Sequence, residues 1–436
     1  MRLQFIYLVS IIGLHCCPLS VFAQKQACVW YFGQYAGMDF NSGSPVALTD
    51  GVLEIRGGSS SIADAEGRLL FYTDGWNVWN RNHERMPGNG ERLNGGGDMS
   101  TSSGYIVPMP GSRTRYYIFT TDAPPPFGTY GLQYSIVDME AQGGFGDVVV
   151  KNIPLLADSV CTKIAATFHS NRKDIWVITQ KLDTNAFYAF LVTDTGVVHE
   201  PVISYTGISP KSSWSTAYGQ IKFSPDGTKL ATAIPHPIDR FEVVEFDKTT
   251  GRLTNPIISS SFNSYRGTFG IEFSPDSKKL YVTRVAKGYL LQYDLSVFTP
   301  DAILASEYVL LSDVRFEALQ LAPDGKIYVC HGENERYISS IDNPNAKGKD
   351  CQYSHQSVYL GGKTTNSCFP SFLTSYFRKP DITHYRTCPG DTTFFTLSAT
   401  ADVDSVEWDF GDPVTGSANT SASMHATHIF SNPGTY

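Results

Sequence analysis

Outside the first 23 residues, no run of eighteen apolar residues occurs anywhere in the chain, so hydropathy offers no membrane-crossing helix. Charge is also sparse. Asp, Glu, Lys and Arg make up 17% of the residues, with 34 basic against 42 acidic side chains and no basic block, which argues against nucleic acid or an anionic membrane surface as partner. The Glu/Lys/Ala-rich composition of coiled coils and helix bundles is missing. So are the motifs of several chemistries: there is no G-x-S-x-G, H-E-x-x-H, Walker loop, EF-hand loop, Rossmann glycine pattern or Cys-x-x-Cys. The glycine clusters Gly95–Gly97 and Gly143–Gly144 have no helix after them and read as loops rather than phosphate cradles. The ten histidines show no helical metal-ligand spacing. What remains is a chain of 436 residues with 13% aromatics, 38 Gly and 24 Pro, the composition of a large all-β protein rich in turns.

The N-terminus carries Arg2, an apolar run from Phe5 to Leu14, and Val21-Phe22-Ala23 before Gln24. This pattern predicts a secretory signal peptide over residues 1–23, cleaved after Ala23, and hence a secreted or outer-surface protein. Cys16 and Cys17 suggest a lipoprotein, but His15 is the wrong residue before a lipidated cysteine. Removing the leader leaves Cys28, Cys161, Cys330, Cys351, Cys368 and Cys388, an even set that an oxidising compartment would pair as disulfides, with free buried thiols as the alternative.

One segment recurs along the chain. Ile221-Lys222-Phe223-Ser224-Pro225-Asp226-Gly227 returns as Ile271-Glu272-Phe273-Ser274-Pro275-Asp276-Ser277 and as Leu319-Gln320-Leu321-Ala322-Pro323-Asp324-Gly325, with the aspartates 50 and then 48 positions apart. Alternating apolar residues, a Pro-Asp-Gly turn and a second apolar run predict a β-hairpin. Weaker copies lie at Ile62–Tyr72, Val107–Phe119 and Phe168–Val177. Further strands follow the hairpins, such as Phe241–Phe246 and Ile257–Phe262. Four strands in about fifty residues is the period of a β-propeller blade. Six hairpins need a seventh unit to close a ring, and pairing Val29–Phe32 with the strand-like Phe369–Phe377 supplies it. The predicted fold is therefore all-β: a seven-bladed β-propeller over residues 24–378.

Beyond Lys379-Pro380 the repeat stops. Trp408-Asp409-Phe410-Gly411-Asp412, followed by His428-Ile429-Phe430 and Pro433-Gly434-Thr435-Tyr436, resembles the PKD family of Ig-like sandwiches, with Pro413 where that family commonly has Gly. The resemblance implies a PKD domain over residues 379–436 that is incomplete, because the family's last strand would follow Tyr436. In that fold Trp408, Asp409 and Asp412 more often hold core and turn than a ligand. Together with Trp30-Tyr31-Phe32-Gly33, Ala36–Asn41 and Leu70–Gly75, the order of parts resembles Bacteroidetes-type surface proteins with WD40/YVTN-like repeats, of the kind linked to type IX secretion or gliding motility. That layout implies the cell surface and no particular reaction.

In a propeller, the loops after each second strand and before each first strand share one rim. Those loops hold Asp74, Trp76, Asp122, Trp214, His236, Arg240, Arg266, Arg284, Arg315, Glu317, His331 and Glu333. Aromatic and arginine side chains give contact area and directional hydrogen bonds, which suits a protein or polysaccharide partner. The leading expectation is a monomeric, non-enzymatic binding or adhesion protein with the PKD module as spacer and no cofactor. The alternative is a lactonase-like propeller hydrolase, in which His236, His331, Arg284 and Glu317 converge at the channel mouth as acid, base and oxyanion-stabilising groups. A third is a Ca²⁺ held by Asp74 and Asp122.

Overall fold

The computed structural model describes residues 25–434 except 91, 99, 124–127, 129, 212, 262–266, 286–287, 379–381, 387–389 and 398–405. The signal-peptide reading falls outside these residues, as do Arg266 and Cys388. The chain divides into two compact units, one over residues 23–379 and one beyond them.

The repeat forms its hairpins for local reasons. In the first full copy, Asp226 Oδ1 accepts from the Thr228 amide at 3.0 Å, and Gly227 takes φ of 72°. Ser277 occupies the same left-handed position at 61° and Gly325 at 84°. Glycine does so without the Cβ clash that Ser277 must tolerate.

Among the described residues, the first unit holds seven antiparallel sheets. In chain order they hold β1 (Val29–Phe32), β2 (Ala36–Asp39) and β3 (Val46–Leu48); β4 (Ser60–Ala63), β5 (Leu69–Thr73) and β6 (Val78–Asn80); β7 (Tyr105–Pro108), β8 (Arg115–Thr121), β9 (Leu132–Asp138) and β10 (Asp147–Leu156); β11 (Ala165–Phe168), β12 (Ile175–Gln180), β13 (Ala186–Thr193), β14 (Gly196–Val197) and β15 (Val202–Tyr205). Then come β16 (Ile221–Phe223), β17 (Lys229–Ile234), β18 (Arg240–Asp247) and β19 (Arg252–Ile258); β20 (Thr268–Phe273), β21 (Lys279–Arg284), β22 (Tyr289–Asp294) and β23 (Tyr308–Leu311); β24 (Leu319–Leu321), β25 (Ile327–Val329), β26 (Tyr337–Ile341) and β27 (Tyr353–Tyr359). Two short helices interrupt this order, α1 (Trp214–Ala217) and α2 (Pro300–Ala305), the latter capped by Thr299. All six predicted hairpins are present. The expected strand Ile257–Phe262 instead begins at Arg252, because the turn after β18 is tight: the Gly251 amide donates to Asp247 O at 2.8 Å with Gly251 at φ 73°.

Consecutive sheets meet through their first strands. Ser60 Oγ accepts from the Ile106 amide at 3.3 Å, Tyr105 OH accepts from the Ala166 amide at 3.3 Å, and Glu272 Oε2 accepts from the Leu321 amide at 2.9 Å. The last sheet returns to the first, where Trp30 lies 6.0 Å from Tyr328 and Phe40 lies 5.5 Å from it, ring centre to ring centre. Equivalent positions of the three full repeats also meet one another. The Lys222 ammonium donates to Gln320 Oε1 and lies 3.4 Å from Glu272 Oε2, all three side chains being buried. Two residues before Lys222, Gln220 Oε1 accepts from the Ile271 amide at 3.1 Å and the Leu319 amide at 2.9 Å, which ties three sheets to one side chain.

The ends of the unit meet as expected, though not as a strand pair. Phe369 and Phe372 lie 5.9 Å and 5.6 Å from Trp30. However, Phe369–Phe377 joins no ladder to β1: it makes one bridge from Pro370 to Ser59 and ends in the 3-10 turn Thr374–Phe377. The edge it would use is taken, because Ser59 Oγ donates to Tyr31 O at 2.7 Å and Ser61 Oγ to Val29 O at 2.6 Å. Pro370 moreover has no N–H to give. The segment touches four other first strands or their approaches instead. The Ala318 amide donates to Ser367 O at 3.3 Å, Ser60 Oγ to Ser371 O at 2.7 Å, Tyr105 OH to Phe372 O, and the Phe168 amide to Ser375 Oγ at 3.4 Å. The segment thus runs alongside the first strands, and Ser371 and Phe372 border a small cavity there with Tyr105, Gln220 and Lys222.

In the second unit β28 (Ile382–Tyr385) pairs with β29 (Thr393–Leu397), β29 also pairs with the strand His425–His428, and Trp408–Asp409 pairs with Thr420–Ser421. Leu397, Trp408, Phe410 and Ala426 form its core. Asp409 Oδ1 accepts from the Gly411 amide and Asn419 Nδ2, and Asp412 accepts from Ser431 and faces His428 Nε2 at 3.2 Å, so these acids hold turns. After Pro413 the turn becomes a 3-10 stretch, Pro413–Asn419.

Candidate functional site

The loops that follow the second strands contain most of the predicted residues, but their side chains fall into separate groups. Asp74 is buried at the β5–β6 turn, where Oδ1 accepts from the Trp76 amide at 2.8 Å and the Asn77 amide at 2.6 Å, and Oδ2 accepts from Asn77 Nδ2 at 3.0 Å. Burial pushes its carboxyl up while those amides pull it back. Trp76 carries the Arg92 guanidinium 4.4 Å from its ring centre. Asp122 binds its own loop, accepting from the Ala123 amide at 2.8 Å and the Tyr130 amide. The two acids are therefore spent on two different turns rather than on a shared Ca²⁺. Among the described residues, no three His, Cys, Asp or Glu side chains converge as a metal site would require.

Two clusters do form. At the junction of the fifth and sixth sheets, buried Asp239 Oδ1 accepts from the Thr268 amide at 2.8 Å and Thr268 Oγ1 at 3.1 Å, while Arg284 Nη2 lies 3.9 Å from Asp239 Oδ2 and over the Tyr289 ring. Burial lowers the Arg284 guanidinium and Asp239 opposes that. His236 is exposed and Arg240 half-buried on the same β17–β18 connection.

At the seventh sheet, Arg315 Nε donates to Glu317 Oε1 at 2.9 Å. His331 Nδ1 faces Arg315 O at 2.9 Å, and its Nε2 faces Ser339 Oγ at 2.6 Å. A carbonyl only accepts, so Nδ1 carries the proton and Nε2 receives the hydroxyl hydrogen. Burial lowers the basicity of this ring, against the pull of the Arg315 carbonyl. Glu333 is exposed in the loop after His331. Thr283 Oγ1 donates to Glu317 O at 2.6 Å and joins the two clusters by one hydrogen bond. Glu317 and His331 are thereby linked through Arg315, and Arg284 is placed beside Asp239. Trp214 opens α1, and its side chain lies outside the described residues.

Cys28, Cys161, Cys330, Cys351 and Cys368 are unpaired and buried, contrary to the disulfide expectation. Each sits in its own packing: Cys330 Sγ, for instance, donates to Asn366 O at 2.7 Å. Burial holds the Cys28 and Cys161 thiols at about 11 and Cys330 at about 12, so they stay protonated and inert.

A further buried polar group lies apart from the residues the sequence singles out. Lys163, Gln180 and Glu242 are fully buried where the fourth and fifth sheets meet. Lys163 Nζ donates to Ala233 O at 2.6 Å and Thr232 Oγ1 at 3.2 Å, Glu242 Oε2 accepts from the Ile208 amide at 2.7 Å, and Gln180 Nε2 donates to Ile208 O at 2.9 Å. Burial pushes the Glu242 carboxyl up to about 8 against the pull of Ile208, Lys163 and Gln180. β18 carries two glutamates among Phe241, Val243, Val244 and Phe246, and nothing in that run distinguishes buried Glu242 from half-buried Glu245.

No protein family matches the chain, and no curated protein does. Among solved structures it is distantly similar to several β-propeller and WD40-like folds. A candidate 6-phosphogluconolactonase from Bacteroides uniformis shares 11% identity over 79% of this chain and 99% of its own, with a TM-score of 0.47. One from Bacteroides fragilis shares 12% over 79% and 97%, at 0.46, and the β-propeller domain of Swd1 from Myceliophteria thermophila shares 9% over 70% and 94%, at 0.42. No helix among the described residues is long and apolar enough to cross a membrane.

Proposed function

We propose that residues 24–378 form a seven-bladed β-propeller that works as a binding module of an exported or cell-surface protein, with residues 379–436 as a PKD-like spacer or adhesion unit. The convergence of Lys222, Glu272 and Gln320 from equivalent repeat positions supports the radial arrangement, since side chains at one repeat position meet when their sheets surround a common axis. The observation that supports binding over hydrolysis is the course of Ser367–Phe377 along the first strands, where its hydrogen bonds to Ser60, Tyr105 and Phe168 narrow the room left for a small substrate. The candidate catalytic groups point the same way: Glu317 is committed to Arg315, and His331 has both ring nitrogens hydrogen-bonded.

A lactonase-like hydrolase is the second reading. It rests on the imidazole–hydroxyl contact of 2.6 Å between His331 and Ser339, the geometry of a base and its nucleophile. Ser339 is fully buried and its Oγ also accepts from the Gln356 amide at 2.9 Å, so a substrate would have to displace that packing. The two readings part in one experiment. The full chain after leader removal is assayed for acid release from γ- and δ-lactones alongside Ser339→Ala, and immobilised for capture of glycans or defined proteins. Saturable capture with no lactone turnover is expected; turnover that Ser339→Ala abolishes overturns the binding reading.

A further inference from the structure

Three of the tyrosines left in solvent lie where the seventh sheet meets the first. Tyr35 is 38% exposed, Tyr337 38% and Tyr359 49%. Tyr337 and Tyr359 face each other across β26 and β27, ring centres 5.0 Å apart. The chain leaves β27 through Gly361 and Gly362, both at positive φ, and Lys363 then sits 5.5 Å from the centre of the Tyr35 ring. A Cβ on Gly362 would lie 3.7 Å from the Tyr359 hydroxyl, so this short loop joins the three rings into one surface. Beside Tyr35, Gln34 Nε2 donates to Asn334 Oδ1 at 3.3 Å, and Gln34 Oε1 accepts from Thr364 at 3.0 Å.

Tyr35 is the telling residue. It occupies the left-handed region at φ 60°, where glycine and asparagine are at home and a bulky side chain is strained. Its ring is not part of the buried core, so packing of the interior does not explain why tyrosine stands there. Its hydroxyl donates to Glu54 Oε2 at 2.5 Å, which with Lys363 fixes the ring in place. Backbone strain held at an exposed, immobilised ring is an outlier from which a contact surface is inferred.

Resting on the reading of this unit as a binding module, we propose that Tyr35, Tyr337 and Tyr359, with the amides of Gln34 and Asn334, bind a neutral polysaccharide chain. A pyranose presents a face of C–H groups that packs on an aromatic ring and an edge of hydroxyls that exchange hydrogen bonds with amides. The rings on this surface offer the first and the amides the second. The two ionised side chains touching Tyr35, Glu54 and Lys363, are committed to that ring, which favours an uncharged ligand over an acidic one.

The test is affinity electrophoresis of the full chain after leader removal, in native gels cast with hydroxyethyl cellulose, laminarin, xylan or galactomannan. Retarded migration is expected in at least one gel, and Tyr35→Asn and Tyr337→Ser should each weaken it tenfold or more. Because asparagine accepts positive φ, Tyr35→Asn should melt no lower than the parent, which separates lost binding from lost folding. Retardation that neither variant changes overturns this surface while leaving the binding module standing. Absence of retardation in every gel overturns the polysaccharide assignment, and the protein-capture arm described above then decides the broader reading.

Discussion

Glu242 offers a stability change whose sign and size both follow from its surroundings. In the unfolded chain its carboxyl gives up a proton near the ordinary 4.5; in the folded protein burial holds the proton until about 8. Between those values unfolding releases a proton, so stability is greatest below the lower value and falls as pH rises through the window, by about 1.4 kcal/mol for each tenfold drop in proton concentration. At pH 7 the accumulated cost is about 3 kcal/mol, a large share of a domain's total. The facing charged group is Lys163, whose amine burial drives below its usual value.

Among the described residues, Glu242 Oε1 and Gln180 Oε1 are both buried acceptors without a donor. A proton on Glu242 supplies that donor, and so would the amide of a glutamine in its place. Glu242→Gln should therefore match the parent at pH 4.5 and exceed it by about 3 kcal/mol at pH 7, the gap widening to pH 8. Urea unfolding followed by tryptophan fluorescence at several pH values measures the difference. A gap that does not grow with pH, or a variant less stable at pH 8, would refute the buried-acid account.

The Lys222–Glu272 pair should behave asymmetrically. Glu272→Gln alone leaves a buried ammonium facing neutral amides and should cost roughly 3–5 kcal/mol, whereas Lys222→Met with Glu272→Leu should cost far less, as denaturant midpoints would report. Trp30 meets Phe40, Tyr328, Phe369 and Phe372, so Trp30→Ala should cost roughly 3–5 kcal/mol and speed proteolysis within residues 364–378. The five described thiols should be inert to Ellman's reagent in the native protein at pH 8 and react in guanidinium without prior reduction; reaction that requires a reductant would show disulfides the structure lacks.

The hairpins were legible because their determinants are local: a Pro-Asp-Gly turn needs only its own four residues and an alternating run on each side. The interior was harder to read for the opposite reason. Lys222, Glu272 and Gln320 occupy the polar places in alternating strands, which in a single sheet means the solvent face, and only the meeting of three sheets turns those places inward, where a cation, an acid and an amide satisfy one another. Ser59 precedes β4 and Ser60 and Ser61 open it, and all three spend their hydroxyls on carbonyls of neighbouring segments, which no local pattern announces. The same bonds explain why Phe369–Phe377, apolar enough for a strand, runs alongside the first strands instead: the carbonyls it would have paired with are already taken. The rim is ambiguous through chemistry of the same kind. Asp74, Asp122 and Glu317 are acids in loops, which can bind ligands but also hold turns and pair with arginine, and sequence does not distinguish the two. Tyr35 is silent in the sequence because its distinguishing feature is a backbone angle. A tyrosine between two strands is unremarked in sequence; one held at positive φ with its ring in solvent has to be explained by what it meets.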